Sequence, residues 1–214
     1  MKRTEPERTP ARRGPRPATI GLALVLAAVV ATLLALSAPS PVLLLGEALR
    51  SDQGRATVGA DRPVTEDDGA LPDGVTVFDE EYPGVSDLDP DLLDALRRAA
   101  TEAADDGVEI YVNSGWRSPA YQNQLLREAV AEYGSEEEAA RWVATADTSP
   151  HVTGDAVDVG PVAATRWLTE HGAAYGLCQV YGNEPWHFEL FRQAADQGCP
   201  PPYADPTHDP RLQP

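Results

Sequence analysis

Histidine and carboxylate side chains in two separate segments place the strongest constraint on how this chain can fold. His151 is followed seven residues later by Asp158, and Glu184 stands three residues before His187. Two imidazoles and one carboxylate can hold a zinc ion, with a fourth position open for water and a second carboxylate as base. This chemistry works only if the two segments meet, so the fold must bring His151 and His187 together.

The residues after His151 have the pattern of a short strand. Residues 156–159 are mostly apolar, and side chains alternate between faces along a strand, so Ala156 and Asp158 share one face. Because Ala156 is small, it leaves room for a metal or a substrate beside Asp158. We expect His151 to lie on the loop that enters this strand, with Gly154 supplying the turn.

The second segment reads Glu184-Pro185-Trp186-His187. Pro185 removes a backbone donor and disfavours a regular helix at this position. The base and the third ligand therefore lie close along the chain without sharing a helix. This arrangement differs from that of zinc peptidases whose two histidines lie on one helix.

Three blocks of sequence follow one another between about residues 75 and 192. They are Ser114-Gly115-Trp116-Arg117-Ser118 with Gln124 shortly after, Ser149-x-His151-x-x-Gly154-x-Ala156-x-Asp158, and Glu184-Pro185-Trp186-His187. In residue types and order they resemble the zinc D-alanyl-D-alanine carboxypeptidases of the VanY type and the related D-Ala-D-Ala dipeptidases. The fold of this family is similar to that of Hedgehog-type domains.

The resemblance implies a role for each matching residue. His151, Asp158 and His187 would be the ligands of one Zn²⁺ ion, as the residue types alone also suggest. Glu184 would be the general base, and Arg117 would meet the carboxylate of the substrate or its developing oxyanion. The implied substrate is the D-Ala-D-Ala end of peptidoglycan stem peptides, from which the terminal D-Ala is removed.

Three further residues are candidate substrate contacts, each with a structural alternative. Ser114 either helps to hold the substrate or caps its loop. Gln124 either contacts the substrate or is structural. Trp186 either forms a wall of the pocket or packs in the core.

The chain departs from the family pattern beside two of the ligands. Pro150 stands where many members carry an acidic or polar residue before the histidine. Phe188-Glu189 replaces the aromatic and basic residues that often follow the last block. Since these positions flank the pocket, they bear on the substrate more than on the metal.

Two other classes of function are open. One is a different cut by the same zinc chemistry, made by a peptidoglycan endopeptidase or a D-Ala-D-Ala dipeptidase. The other is a non-catalytic zinc or cell-wall binding module. Glu184 argues against a binding module, because binding alone does not need a base.

A charge-free apolar run over residues 18–38 is long enough to span a bilayer. Residues 1–17 hold six Lys/Arg and two Asp/Glu, so the positive-inside rule predicts a cytoplasmic basic tail and an extracytoplasmic remainder. A secretory signal cleaved after Ser37 is the alternative. Either reading exports the catalytic domain, as a single-pass membrane protein or as a secreted one.

The rest of the composition fits an exported domain. The two cysteines, Cys178 and Cys199, form an even pair and predict a disulfide. The net charge of −17 argues against nucleic acid as a partner, since nucleic acid binding needs a basic face. No pattern in the sequence indicates an oligomeric state.

The periodicity predicts an α+β fold in which a small antiparallel sheet is flanked by helices and carries the zinc site. Residues 39–73 are predicted to be an extracytoplasmic linker, 74–199 the zinc peptidase domain and 200–214 a flexible, proline-rich tail. Helices are predicted to begin at Pro90, Pro119, Glu136 and Pro161, the third continuing to about Ala144. Strands are predicted over residues 75–78, 108–113, 156–159, 177–181 and 186–190.

Overall fold

Four strands and seven α-helices build the part of the chain that the structure describes. The computed structural model describes residues 62–213. The strands are β1 (Tyr111–Ser114), β2 (Ala156–Gly160), β3 (Leu177–Gln179) and β4 (His187–Leu190). The helices are α1 (Pro83–Ser86), α2 (Pro90–Asp105), α3 (Pro119–Tyr133), α4 (Glu136–Ala139), α5 (Pro150–Thr153), α6 (Val162–His171) and α7 (Ala194–Gln197). Short 3-10 turns lie at Glu66–Asp68, Gly172–Tyr175, Pro206–His208 and Pro210–Leu212.

The strands form one antiparallel sheet in the order β1-β2-β4-β3. Asp158 on β2 pairs with Ser114 on one side and with His187 on the other. The middle of the sheet therefore joins all three sequence blocks. This architecture confirms the predicted α+β class with a small antiparallel sheet.

Helix α2 supplies much of the core beneath the sheet. Asp89 caps its first turn by accepting hydrogen bonds from the backbone N–H groups of Asp91 and Leu92, and Pro90 occupies the first helical position. Leu92 and Leu96 are fully buried, and burying a leucine side chain contributes roughly 1.5–3 kcal/mol. The helix lies against β4, while α6 lies against β2.

Strand β2 divides its side chains between core and site. Val157 and Val159 belong to the buried apolar cluster that includes α2. Asp158 points to the other face, where it meets His187. The alternation predicted from the sequence is therefore confirmed.

Some predicted elements differ in extent from the observed ones. Residues 75–78 form no strand and make one isolated bridge, between Thr76 and Tyr111. Helix α4 ends at Ala139 rather than near Ala144. Past Ala139, the backbone N–H groups of Arg141 and Trp142 donate to carbonyls three residues back, Glu138 O and Ala139 O, instead of four residues back as in an α-helix.

The segment 203–213 is packed against the domain, where the sequence suggested a mobile tail. Tyr203 bridges Tyr181, and the carboxylates of Asp205 and Asp209 are buried and cap two 3-10 turns. At the other end, the buried Asp68 accepts a hydrogen bond from Ser118. The ordered domain thus extends beyond the predicted limits of 74 and 199 on both sides.

Cys178 on β3 and Cys199 form the predicted disulfide. It ties the segment that follows β4 to the edge strand of the sheet.

The predicted basic tail (1–17), the membrane anchor (18–38) and most of the linker (39–73) lie outside the described residues. Between residues 62 and 213, none of the helices has the length and hydropathy of a membrane span.

Candidate metal centre and active site

The pairing of β2 with β4 sets Asp158 beside His187. The two residues are direct partners in the ladder, and Asp158 Oδ1 lies 3.2 Å from His187 Nδ1. Both side chains are buried. The register of the sheet therefore places two of the three predicted metal ligands, Asp158 and His187, side by side.

His151 completes the set from α5 rather than from the loop that the sequence suggested. Pro150 at the first helical position and Gly154 at its end, with φ +80°, confine the chain to a single helical turn. His151 Nε2 lies 3.3 Å from His187 Nδ1 and 3.5 Å from Asp158 Oδ1. The donor atoms of the three predicted ligands thus form a nearly equilateral triangle.

The outward ring nitrogens of both histidines face acceptors. His151 Nδ1 lies 2.8 Å from the carbonyl oxygen of Gly115, and His187 Nε2 lies 3.2 Å from Glu189 Oε1. When each imidazole donates its N–H to that acceptor, its other nitrogen directs a lone pair toward Asp158. Three lone-pair donors facing one another repel unless a cation lies between them.

The spacing of the donors fits a metal ion. Tetrahedral zinc with N/O ligands at 2.0–2.1 Å places ligand atoms about 3.3 Å apart. The three distances observed here are 3.2, 3.3 and 3.5 Å. His151, Asp158 and His187 are accordingly a donor set that could hold a metal ion.

The protonation of the three groups reflects burial and their mutual contacts. Burial lowers the pKa of His151, and the positive charge of Arg117 lowers it further. Burial would also lower the pKa of His187, but hydrogen bonds to Asp158 and Glu189 outweigh it and raise this pKa to about 9. Burial opposes ionisation of Asp158, yet both histidines and Arg117 hold its pKa well below the ordinary value. The centre therefore stabilises a positive charge.

Glu184 lies on the loop between β3 and β4, close to the three donors. Its Oε2 is 3.9 Å from His187 Nδ1, while Oε1 is buried and has no hydrogen-bond partner within residues 62–213. Burial raises the pKa of Glu184 to about 7. A carboxylate with a pKa near neutrality can both accept and return a proton.

Arg117 contacts Asp158 Oδ2, whereas both histidines lie nearer Asp158 Oδ1. It donates from Nη2 to Asp158 Oδ2 (2.6 Å), from Nε to Ser114 Oγ (2.7 Å) and from Nη1 to Gln122 Oε1 (3.1 Å). Guanidinium has five N–H groups, so two have no partner among the described residues. Arg117 is thus held in place and still able to donate to a ligand.

A cavity of about 310 Å³ opens over these groups. Arg117, Glu184 and Trp186 line it together with the three donors, and Trp186 remains 38% exposed. Pro206 and Leu212, from the segment 203–213, contribute to its wall.

Two predicted substrate contacts lie elsewhere. Ser114 stands behind Arg117 and accepts its Nε–H. Gln124 is not among the described residues that line the cavity; it donates to Glu128, one turn further along the exposed side of α3. The glutamine that reaches the site is Gln122, which was not among the predicted site residues.

Glu189 and Arg211 were also missed. Glu189 lies two residues after His187 on β4, so strand alternation places both on one face, and this signal was available in the sequence. Arg211 pairs with Glu189 from 22 residues further along the chain. No local pattern points to that contact.

Fold and site together define a class: an α+β domain in which two central strands and a one-turn helix bring together a His–Asp–His donor set, with a carboxylate beside it. The VanY family model, described as D-alanyl-D-alanine carboxypeptidase, matches residues 85–193. The chain belongs to this family. The resemblance drawn from the three sequence blocks is therefore confirmed.

Several known proteins are similar to this chain. A D-alanyl-D-alanine carboxypeptidase of Enterococcus faecalis (strain ATCC 700802 / V583) is 34% identical over 123 residues, covering 46% of this chain and 43% of the relative. The chain thus matches less than half the length of that relative. The solved structure of VanYB in complex with D-alanine-D-alanine is 28% identical, with a TM-score of 0.48, and the match covers 52% of this chain and 78% of VanYB. The LdcB LD-carboxypeptidase is 25% identical with a TM-score of 0.48, covering 59% and 70% of the two chains.

Proposed function

We propose that this protein is a zinc-dependent D-alanyl-D-alanine carboxypeptidase that removes the terminal D-Ala from peptidoglycan stem peptides. The observation that carries the proposal is the triangle of donor atoms, whose sides of 3.2–3.5 Å suit one zinc ion. Membership of the VanY family and the enterococcal relative support the choice of substrate.

His151, Asp158 and His187 would hold the ion. Zinc bound there supplies Lewis acidity and lowers the pKa of water to around 7. Glu189 and the Gly115 carbonyl keep the two imidazole rings oriented, because each accepts the outward N–H.

Glu184 is the proposed general base. Glu184 lines the same cavity as the donors, and its buried Oε1 has no hydrogen-bond partner within the described part of the chain. It takes the proton from the attacking water and returns it to the leaving amine of D-Ala. Its pKa of about 7 suits both transfers.

Arg117 is the proposed substrate-facing cation. Its two remaining N–H groups can donate to the terminal carboxylate or to the oxyanion that develops at the scissile carbonyl. Ser114 and Gln122 fix the guanidinium from behind, so Ser114 acts through Arg117. Trp186 forms one wall for the peptide.

The proposed location is outside the cytoplasmic membrane. The apolar run 18–38 would serve as an anchor or as a cleaved signal, and the Cys178–Cys199 disulfide fits an oxidising compartment. Peptidoglycan lies in the same space.

The direct test is to incubate the full-length protein with pentapeptide muropeptides, with and without a chelator, and to measure product masses. Loss of one alanine, abolished by the chelator and restored by zinc, is the expected result. Internal cleavage would indicate an endopeptidase, and activity confined to free D-Ala-D-Ala would indicate a dipeptidase. Zinc binding without any product would favour a binding module.

Glu184→Ala separates the base from the metal ligands. We expect the variant to bind zinc with unchanged stoichiometry and to lose turnover by roughly 10²–10⁴-fold, the usual contribution of general acid–base catalysis. Metal analysis and muropeptide kinetics measure the two effects independently. Full activity in the variant would refute the assignment of the base.

A further inference from the structure

The segment 203–213 lies beyond residues 85–193, the region that the family model matches. It nevertheless contacts Glu189, the residue that accepts a hydrogen bond from His187. Its backbone runs alongside the loop that carries Glu184. Gly182 N donates to Tyr203 O (2.8 Å), and Tyr203 N donates to Val180 O (2.9 Å). These two hydrogen bonds therefore hold the backbone just before Glu184, the proposed base.

Side chains of the segment reach the far side of His187. The buried Glu189 accepts from His187 Nε2 at 3.2 Å. The same carboxylate accepts two hydrogen bonds from Arg211, at 2.6 Å from Nη1 and 3.3 Å from Nη2. A continuous chain of contacts thus runs from Arg211 through Glu189 to a metal ligand.

Arg211 is itself fixed by a fully buried carboxylate. Asp209 accepts from the backbone N–H of Arg211 (2.9 Å) and from its Nε (3.0 Å). Asp209 also accepts from the hydroxyl of Tyr181 (3.1 Å), whose ring centroid lies 4.9 Å from that of His187. The Arg211 guanidinium is therefore held by two carboxylates, those of Asp209 and Glu189.

We propose that Arg211 is a positioning residue of the metal centre: it holds Glu189 against His187 Nε2 and so keeps His187 Nδ1 directed at His151 and Asp158. This inference rests on the proposed function, since it requires that the triangle bind zinc. It concerns residues that the family match does not explain, because Glu189 stands at a departure from the family pattern and Arg211 lies outside the matched region.

The physical reason is the cost of burying a charge alone. Without Arg211, the buried Glu189 loses its arginine partner. Its free energy would then be lower with the carboxylate turned toward water, because a buried charge without a partner is unfavourable. His187 would then lose the acceptor that sets its ring orientation. Outer-shell partners of this kind contribute roughly 10–100-fold to metal affinity.

The experiment measures zinc affinity rather than activity. The full-length protein is titrated with zinc in competition with a chromophoric chelator. We expect Arg211→Ala to raise the zinc Kd by roughly 10–100-fold and Arg211→Lys to restore part of the loss. The control is Arg192→Ala, which removes an arginine whose partner Asp91 is exposed, and which should leave the zinc Kd unchanged.

A double-mutant cycle tests whether Arg211 acts through Glu189. Glu189→Gln should weaken zinc binding, and adding Arg211→Ala to it should weaken binding little further. Additive effects would overturn the proposal, as would an Arg211→Ala variant that melts earlier but binds zinc like the wild type. If Arg211→Ala does not fold, the Glu189→Gln and Arg211→Lys variants provide the test. Wild-type zinc affinity in both variants would overturn the positioning role of Arg211.

The two proposals fail in different ways. If the wild-type protein does not bind zinc, the proposed function is wrong. If the wild type binds zinc and the Arg211 and Glu189 variants bind it equally well, only the positioning role is wrong.

Discussion

Gln122 and Gln124 are two residues apart on α3, and their surroundings differ completely. Gln122 is 1% exposed and joins two parts of the site by donating to Ala144 O and accepting from Arg117. Gln124 is half-buried and donates only to Glu128 of the same helix among the contacts described. Since residue type is identical, only tertiary packing could distinguish them.

Gln122→Leu should destabilise the fold by about 1–3 kcal/mol, because it leaves the part-buried Ala144 carbonyl and one N–H of the part-buried Arg117 guanidinium without their partner. Urea unfolding of the metal-free protein measures the change. Gln124→Leu is the matched control and should change the free energy of unfolding by less than about 0.5 kcal/mol. Equal losses in the two variants would contradict the role described for Gln122.

Arg117 offers a second prediction at this scale. Arg117→Lys retains the charge beside Asp158 but lacks the planar fork, so we expect kcat/KM for a pentapeptide to fall by roughly 10²–10³-fold. Metal analysis should still find one zinc per chain. Arg98→Lys, on an exposed pair with Asp94, is the control. An unaltered kcat/KM in Arg117→Lys would show that the guanidinium does not contact the substrate.

At the scale of single elements, α5 depends on the glycine that ends it. Gly154 has φ +80°, and a Cβ there would lie 2.5 Å from Asp87 O. Gly134, at the end of α3, has φ +85°, and a Cβ added to it would have no described neighbour within 4 Å. The two glycines therefore share a backbone conformation and differ in their surroundings.

Gly134→Ala should cost about 1–2 kcal/mol for the left-handed backbone alone. Gly154→Ala should cost more and should also weaken zinc binding, because relief of the clash displaces the single turn that carries His151. Thermal unfolding and zinc titration of both variants measure these effects. Equal costs with intact zinc affinity would show that α5 tolerates the shift.

Elements with strong local signals were predictable from the sequence. Helix α2 has a cap, a proline at its start and an apolar stripe, and β2 has a clear alternation of faces. Helix α4 was predicted too long, since the backbone leaves the α-helical hydrogen-bond pattern after Ala139. The metal donors were found because their types and spacing define a chemistry, whereas Arg211 was missed because only tertiary contact links it to Glu189.

At the scale of the whole molecule, the buried carboxylates of Asp205 and Asp209 help to hold the segment 203–213 against the rest of the domain. Burial of Asp205 would raise its pKa, but hydrogen bonds from Thr207 and His208 and the Arg141 guanidinium outweigh it and lower the pKa to about 2. The group is thus charged in the folded protein at pH values where it is protonated in the unfolded chain.

The sign of the pH effect follows. The folded-state pKa lies below the unfolded value, so the stabilisation is complete above about pH 4 and is lost as pH falls toward about 2. We expect Asp205→Asn to flatten the acid limb of a stability–pH curve measured by urea unfolding. Asp105→Asn, at an exposed position, should leave that limb as it is in the wild type. A wild-type slope in Asp205→Asn would contradict the prediction.

The pairing of Arg211 with Glu189 has a consequence for how the domain matures. Translation delivers the chain from its amino end, so the three proposed metal donors emerge before Arg211, which pairs with Glu189 beside His187. A newly made domain would therefore pass through a stage in which His187 is held only loosely. Zinc captured at that stage would exchange readily, and it would be locked in only after residues 203–213 had folded onto the sheet.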